Sequence, residues 1–215
     1  VDTYHTESYA QLQDAPMMYN VPDTTVLNIG GAQIMISVYS PNKVTTSKFI
    51  AENISEILVA QKEYLGGSLP IKKYVYLIYL AANPGGSGSS GALEHSYSSM
   101  YFLPEMPEDQ LAQTIKDVSA HEFFHIVTPL SIHSVESGEF DFNKPKMSKH
   151  LWMYEGMTEY AAGHMQMKYN LIDLPQYLGM LKSKIGNMND RYKDDIPFTI
   201  ISADILEKYK DQYPN

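Results

Sequence analysis

Cysteine is absent from the 215 residues. That excludes disulfides, thiolate-bound zinc and a cysteine nucleophile, while leaving the compartment open. Basic residues are scarce: 16 Lys and Arg against 25 Asp and Glu give a net charge of −9. A nucleic-acid binder needs clustered cations to replace phosphate counterions, so that class is disfavoured. The acidic surplus suits solubility, or a cationic partner such as the free amino end of a peptide. No apolar run reaches the roughly 18 residues that a membrane-spanning helix requires. A basic-then-apolar leader is also missing. The chain opens at Val1 rather than Met, as expected of a processed product or an excised piece. A periplasmic or secreted location is favoured over a cytoplasmic one.

What is present is globular. Apolar residues make up 44% and charged residues 19%, a balance that supports a buried core rather than disorder. The length suits one large domain or two lobes sharing a site. Residues 1–24 are polar and turn-rich. Val26 to Tyr39 reads as two short strands around Gly30-Gly31, with Ile34, Ile36 and Val38 alternating. Phe49, Ile50, Ile54, Ile57, Leu58 and Leu65 recur at helical spacing, and Gly66-Gly67 ends that helix. Lys72 to Ala82 reads as a buried strand. Residues 83–91 (NPGGSGSSG) form a loop without the Gly-Lys-Ser/Thr of a phosphate binder. Ala92 to Leu103 reads as one further strand. Pro107-Glu108-Asp109 opens a helix that runs to about Pro129. After a polar connection, helices are predicted over 151–169, after Asp173-Leu174-Pro175, and over 202–209. Trp152 is expected to anchor the first of these on the sheet. Strands thus precede helices, which predicts an α+β fold with a sheet-rich lobe over 1–106 and a helical lobe over 107–215.

Within the long helix stands His121-Glu122-Phe123-Phe124-His125. Two histidines four apart share one helix face and can converge on a zinc ion. Glu122, about 100° around the helix, stays off the metal but near its water, placed to take a proton and return it to a leaving amine. A chance match to this pattern is expected in roughly one to two percent of such chains, so the motif needs support. A hydrolytic zinc site takes three protein ligands and leaves one position open. Downstream, Leu151 to Tyr160 (LWMYEGMTEY) offers two carboxylates four apart on one helix face. Glu155 is assigned to the metal. Glu159 is assigned to the spare ring N–H of a ligand histidine, with His121 the expected partner. The alternative order, with Glu159 on the metal, uses the same face.

HEFFH followed about thirty residues later by LWMYEGMTEY resembles the gluzincin metallopeptidases, which include thermolysin and the aminopeptidase N group. As in the latter, the candidate third ligand directly precedes a glycine, Gly156. A metzincin would carry Gly and His where this chain has Thr128 and Ser131. The separation between the two motifs is longer than in aminopeptidase N and is closer to that of the glycyl aminopeptidase family. Gly91-Ala92-Leu93-Glu94-His95 resembles that family's Gly-Gly-Leu-Glu-His segment and the Gly-x-Met-Glu-Asn strand of aminopeptidase N. The resemblance implies that the strand at Ala92 pairs with substrate backbone, that Glu94 reads a free amine, and that His95 lines the same cleft. It implies a thermolysin-like catalytic domain, a mixed sheet lobe followed by a helical lobe with zinc between them. The implied activity is removal of small N-terminal residues such as Gly or Ala from peptide or protein substrates. The family's intermediate-stabilising tyrosine and PDZ region are expected beyond Asn215, making this chain a C-terminally truncated catalytic fragment. A zinc endopeptidase, an epoxide-opening zinc hydrolase and a non-catalytic peptide-binding domain that retains the metal site would all use the same ligands.

Overall fold

A computed structural model describes residues 3–21, 23–83, 90–191 and 196–209. Most of the loop expected over 83–91 lies outside these. The chain divides into two compact units, Val1–Ile126 and Val127–Asn215. The division falls about twenty positions later than the lobe boundary read from the sequence at 106/107. The helix that carries HEFFH packs on its neighbour in the sheet unit and belongs with it.

In the first unit, α1 (Tyr9–Gln13) precedes β1 (Thr24–Ile29), β2 (Ala32–Tyr39), α2 (Ser47–Tyr64), β3 (Lys73–Ala81), β4 (Gly91–His95), β5 (Ser98–Pro104) and α3 (Glu108–Phe124). The five strands form one mixed sheet in the order β1-β2-β3-β5-β4. β1 and β2 are an antiparallel hairpin. Gly30 and Gly31 turn it at φ 58° and 84°, the left-handed region that a two-residue hairpin turn demands and glycine enters freely. The β2–β3 and β3–β5 pairs are parallel, and β4 returns antiparallel to β5 at the sheet edge.

The alternation seen in the sequence selects one face. Ile34, Ile36, Tyr74, Tyr76, Ile78, Leu80 and Tyr101 are all 2% exposed or less. Against them α2 lays its stripe of Ile50, Ile54, Ile57 and Leu58. Thr46 caps α2 by accepting the Phe49 N–H at 3.2 Å. α3 adds Phe123, whose ring stacks on Tyr76 and meets Tyr74 edge-on at centroid distances of 6.3 and 5.0 Å.

Two sequence expectations change here. The single strand expected over 92–103 is the β4–β5 hairpin, broken at Ser96-Tyr97, with Tyr97 at φ 58°. α3 stops at Phe124 rather than near Pro129. His125 closes it, and the His125 and Ile126 N–H groups donate back three residues to Glu122 and Phe123.

The second unit holds α4 (Val135–Gly138), α5 (Leu151–Lys168), α6 (Leu174–Arg191) and α7 (Phe198–Asp204), which passes into a π-helical turn over Ile205–Tyr209. The last helical stretch therefore begins earlier than the expected 202. Asp173 and Gln176 exchange side-chain and backbone bonds at 2.8 Å at the start of α6, a reciprocal capping pair. The connection ahead of α5 is pinned where the Ser134 N–H donates to Tyr154 Oη at 2.6 Å. Trp152 stacks on Phe198 at 5.7 Å and is 44% exposed, so its ring partner is another helix of this unit. No helix among the described residues is long and apolar enough to cross a membrane.

The sheet-to-α2 packing predicts a contrast. Leu58→Ala, at a fully buried site, costs about 2–5 kcal/mol in urea unfolding. Val59→Ala, on the 45% exposed side of the same helix, stays within about 0.5 kcal/mol.

Candidate metal centre

The HEFFH segment occupies the last turn of α3, where its side chains sort by face. Phe123 and Phe124 point into the core at 0% and 3% exposure. Glu122 and His125 are buried and His121 is half-buried. The turn is held from two sides. Gln61 of α2 donates its Nε2 to the Ala120 carbonyl at 2.9 Å. Tyr74 of β3 donates its hydroxyl to the Glu122 carbonyl at 3.3 Å. Neither residue was singled out in the sequence. Gln61 carried a readable signal: it is a polar residue in register with Ile50, Ile54, Ile57 and Leu58, where an apolar side chain would be expected.

The imidazoles of His121 and His125 converge. Their Nε2 atoms stand 3.2 Å apart, with the rings inclined at 75°. Two nitrogens bound tetrahedrally at 2.0–2.1 Å from zinc are separated by about 3.3 Å. The donor pair therefore has the separation that zinc requires. The C-terminal end of α3 adds the negative pole of the helix dipole, which favours a cation at this place.

Glu94 comes to the same side. It pairs with Ser99 across the β4–β5 hairpin, on the sheet face that Tyr101 and α3 share. One oxygen of Glu94, one of Glu122 and a ring nitrogen of His125 lie within 4.8 Å of one another. Two carboxylates this close repel unless a cation, a metal or a proton stands with them. Ala92, two positions earlier, lies on the same face of β4, and β4 is an edge strand that can accept another extended chain. Beneath them, burial pushes the Tyr74, Tyr76 and Tyr101 phenols well above their ordinary value, reinforced by the Glu122 charge. All three stay neutral, and the Glu122 carboxylate has a floor of uncharged rings.

His95 bonds Asp14 Oδ1 through its Nδ1 at 2.8 Å. Glu155 and Glu159 lie one turn apart on α5 in the second unit, each half-buried, and Glu159 is paired with Lys184 of α6.

Residues 114–212 match the family model of M61 glycyl aminopeptidase. The resemblance read from the motifs is borne out. The matched span includes HEFFH, Glu155 and Glu159 and begins after Gly91–His95. No curated protein matches the sequence. Among solved structures, an aminopeptidase N family protein from Idiomarina loihiensis shares the fold, with a TM-score of 0.68 at 20% identity. That likeness covers 89% of this chain and 33% of the other, so the chain spans about a third of that structure's length. The mixed α+β architecture is that of this neighbour. The family whose model matches is one of peptidases.

Asp14 supplies a pH-dependent check on the geometry around His95. Burial would raise its carboxyl, but bonds from His95 and Ser96 outweigh this and hold it below the ordinary 3.8. A depressed folded value contributes stability above the unfolded value, lost as pH falls through the folded one. The stability gap between wild type and Asp14→Ala is therefore expected to be full at neutral pH and to close only below about pH 3.8. Urea unfolding across that range measures it.

Proposed function

We propose that this chain is the zinc-binding part of a metallopeptidase that removes small N-terminal residues, such as Gly or Ala, from peptides. The observation that carries the reading is the 3.2 Å approach of the His121 and His125 Nε2 atoms, the separation of two zinc ligands, directly beside the Glu122 carboxylate. His121 and His125 would hold the ion. Glu155 is proposed as the third ligand on its sequence context, a helix-borne carboxylate followed by Gly156. Glu159 is proposed to orient a ligand histidine.

Held by these residues, zinc would supply electrophilic polarisation of a carbonyl and acidify a water. The rest falls to the protein. The buried Glu122 carboxylate accepts a proton from the attacking water and returns it to the departing amine. Glu94 accepts the substrate's ammonium group, within 4.8 Å of the Glu122 carboxylate. The exposed edge of β4 at Ala92 takes the substrate backbone as an added strand. Together these contacts register a chain by its first residue, because the ammonium must reach Glu94 while the first peptide bond stands where Glu122 can pass a proton to its nitrogen.

A zinc endopeptidase would use the same ligands and the same edge strand, without Glu94. The two readings separate on N-acetylated peptides, which an endopeptidase cleaves and an aminopeptidase refuses.

The direct experiment combines metal analysis with hydrolysis of Gly- and Ala-anilides. Glu122→Gln is expected to keep its zinc and lose about 100-fold or more in rate. Glu155→Ala is expected to lose zinc while Glu159→Ala retains most of it. A zinc-loaded wild type that cleaves neither anilides nor longer peptides would remove the enzymatic reading. Loss of metal in Glu159→Ala alone would reverse the ligand order.

A further inference from the structure

The β4–β5 turn is tied to a residue far away in sequence. Asp14 closes α1, a short helix capped at its start by Ser8, whose Oγ accepts the Gln11 N–H at 3.1 Å. The Asp14 carboxylate accepts three bonds: from His95 Nδ1 at 2.8 Å, from the Ser96 N–H at 2.7 Å and from the Ser96 hydroxyl at 2.7 Å. All three donors belong to the two residues that follow Glu94. All three residues are partly buried, where charge-assisted bonds hold geometry better than at a wet surface.

This attachment answers a mechanical problem. β4 is only five residues long, sits at the sheet edge and has a ladder partner on one side alone. Edge strands of this kind are the least firmly held parts of a sheet. One oxygen of Glu94 also lies within 4.8 Å of one of Glu122, so a small shift of the end of β4 changes the gap that a substrate ammonium would enter. A bond set at His95 and Ser96 fixes that end. Tyr97 in the left-handed region makes the same turn unfavourable without outside support.

We propose that Asp14 is a positioning residue for substrate binding: through His95 and Ser96 it holds Glu94 where a substrate ammonium is read. This rests on the reading of Glu94 as the amine contact. Asp14 itself touches neither substrate nor metal.

The test is binding, read by amide chemical shifts on zinc-loaded protein titrated with glycinamide, with N-acetylglycinamide as the uncharged control. Glu94→Gln is expected to weaken glycinamide binding about tenfold, and Asp14→Ala to weaken it by a comparable factor, the usual loss when an orienting partner is removed. Asp14→Asn restores affinity to near wild type, because its oxygen still accepts from Ser96 and its amide donates to His95 Nδ1 once the neutral ring shifts its proton to Nε2. The Asp14→Ala/Glu94→Gln double variant binds no more weakly than Glu94→Gln alone, since Asp14 then has nothing left to position. Ser96→Ala, which keeps two of the three bonds, gives a smaller loss that also vanishes in the Glu94→Gln background, and it carries the test if Asp14→Ala does not stay folded. Full affinity in Asp14→Ala beside a loss in Glu94→Gln overturns the positioning role. So does an additive loss in the double variant, which would mean that Asp14 acts through the fold at large. Full affinity in Glu94→Gln overturns the amine reading itself and the inference built on it.

Discussion

The function proposed for this chain depends on two imidazole nitrogens being brought to 3.2 Å at the end of one helix. Left to themselves, two such side chains would separate into water. Here the backbone of the last turn of α3 is fixed by a carbonyl bond from Gln61 and another from Tyr74, and by two phenylalanines sunk in the core. The histidines inherit that rigidity. An ion bound by this pair, as proposed, would cost little further conformational freedom, because the ordering has already been done by packing.

The same packing explains where the charges lie. The sheet face below α3 is lined by tyrosines that burial keeps neutral, so Glu122 is the anion nearest the histidines on that helix. Glu94 approaches from the neighbouring edge strand. In the proposed reading, a second carboxylate beside Glu122 serves a cation that is admitted between them. That condition favours a free amino terminus over an internal peptide segment, and it links the electrostatics to the proposed exopeptidase activity.

Much of this was legible in the residues. The HEFFH spacing already put both histidines on one face. The Ile50–Ile54–Ile57–Leu58 stripe placed α2, and Gly30-Gly31 placed the first hairpin, because helical period and turn chemistry are local properties. What could not be read was tertiary. The break at Ser96-Tyr97 lies in a run of strand-forming residues, and the group that stabilises it, Asp14, is remote in sequence. The early end of α3, and the side chains from α2 and β3 that bond its last turn, are likewise set by partners remote in sequence. Glu159 was assigned to a histidine on spacing, and its pairing with Lys184 of α6 depends on how the second unit packs.

The central claim is that the histidine pair is a zinc-binding pair, and zinc-edge X-ray absorption on the zinc-loaded protein addresses it without reference to turnover. The account predicts a first shell of nitrogen and oxygen at about 2.0–2.1 Å with the multiple-scattering signature of two imidazoles, reduced to one in His121→Ala. A shell without imidazole, or a spectrum unchanged by that substitution, would contradict it.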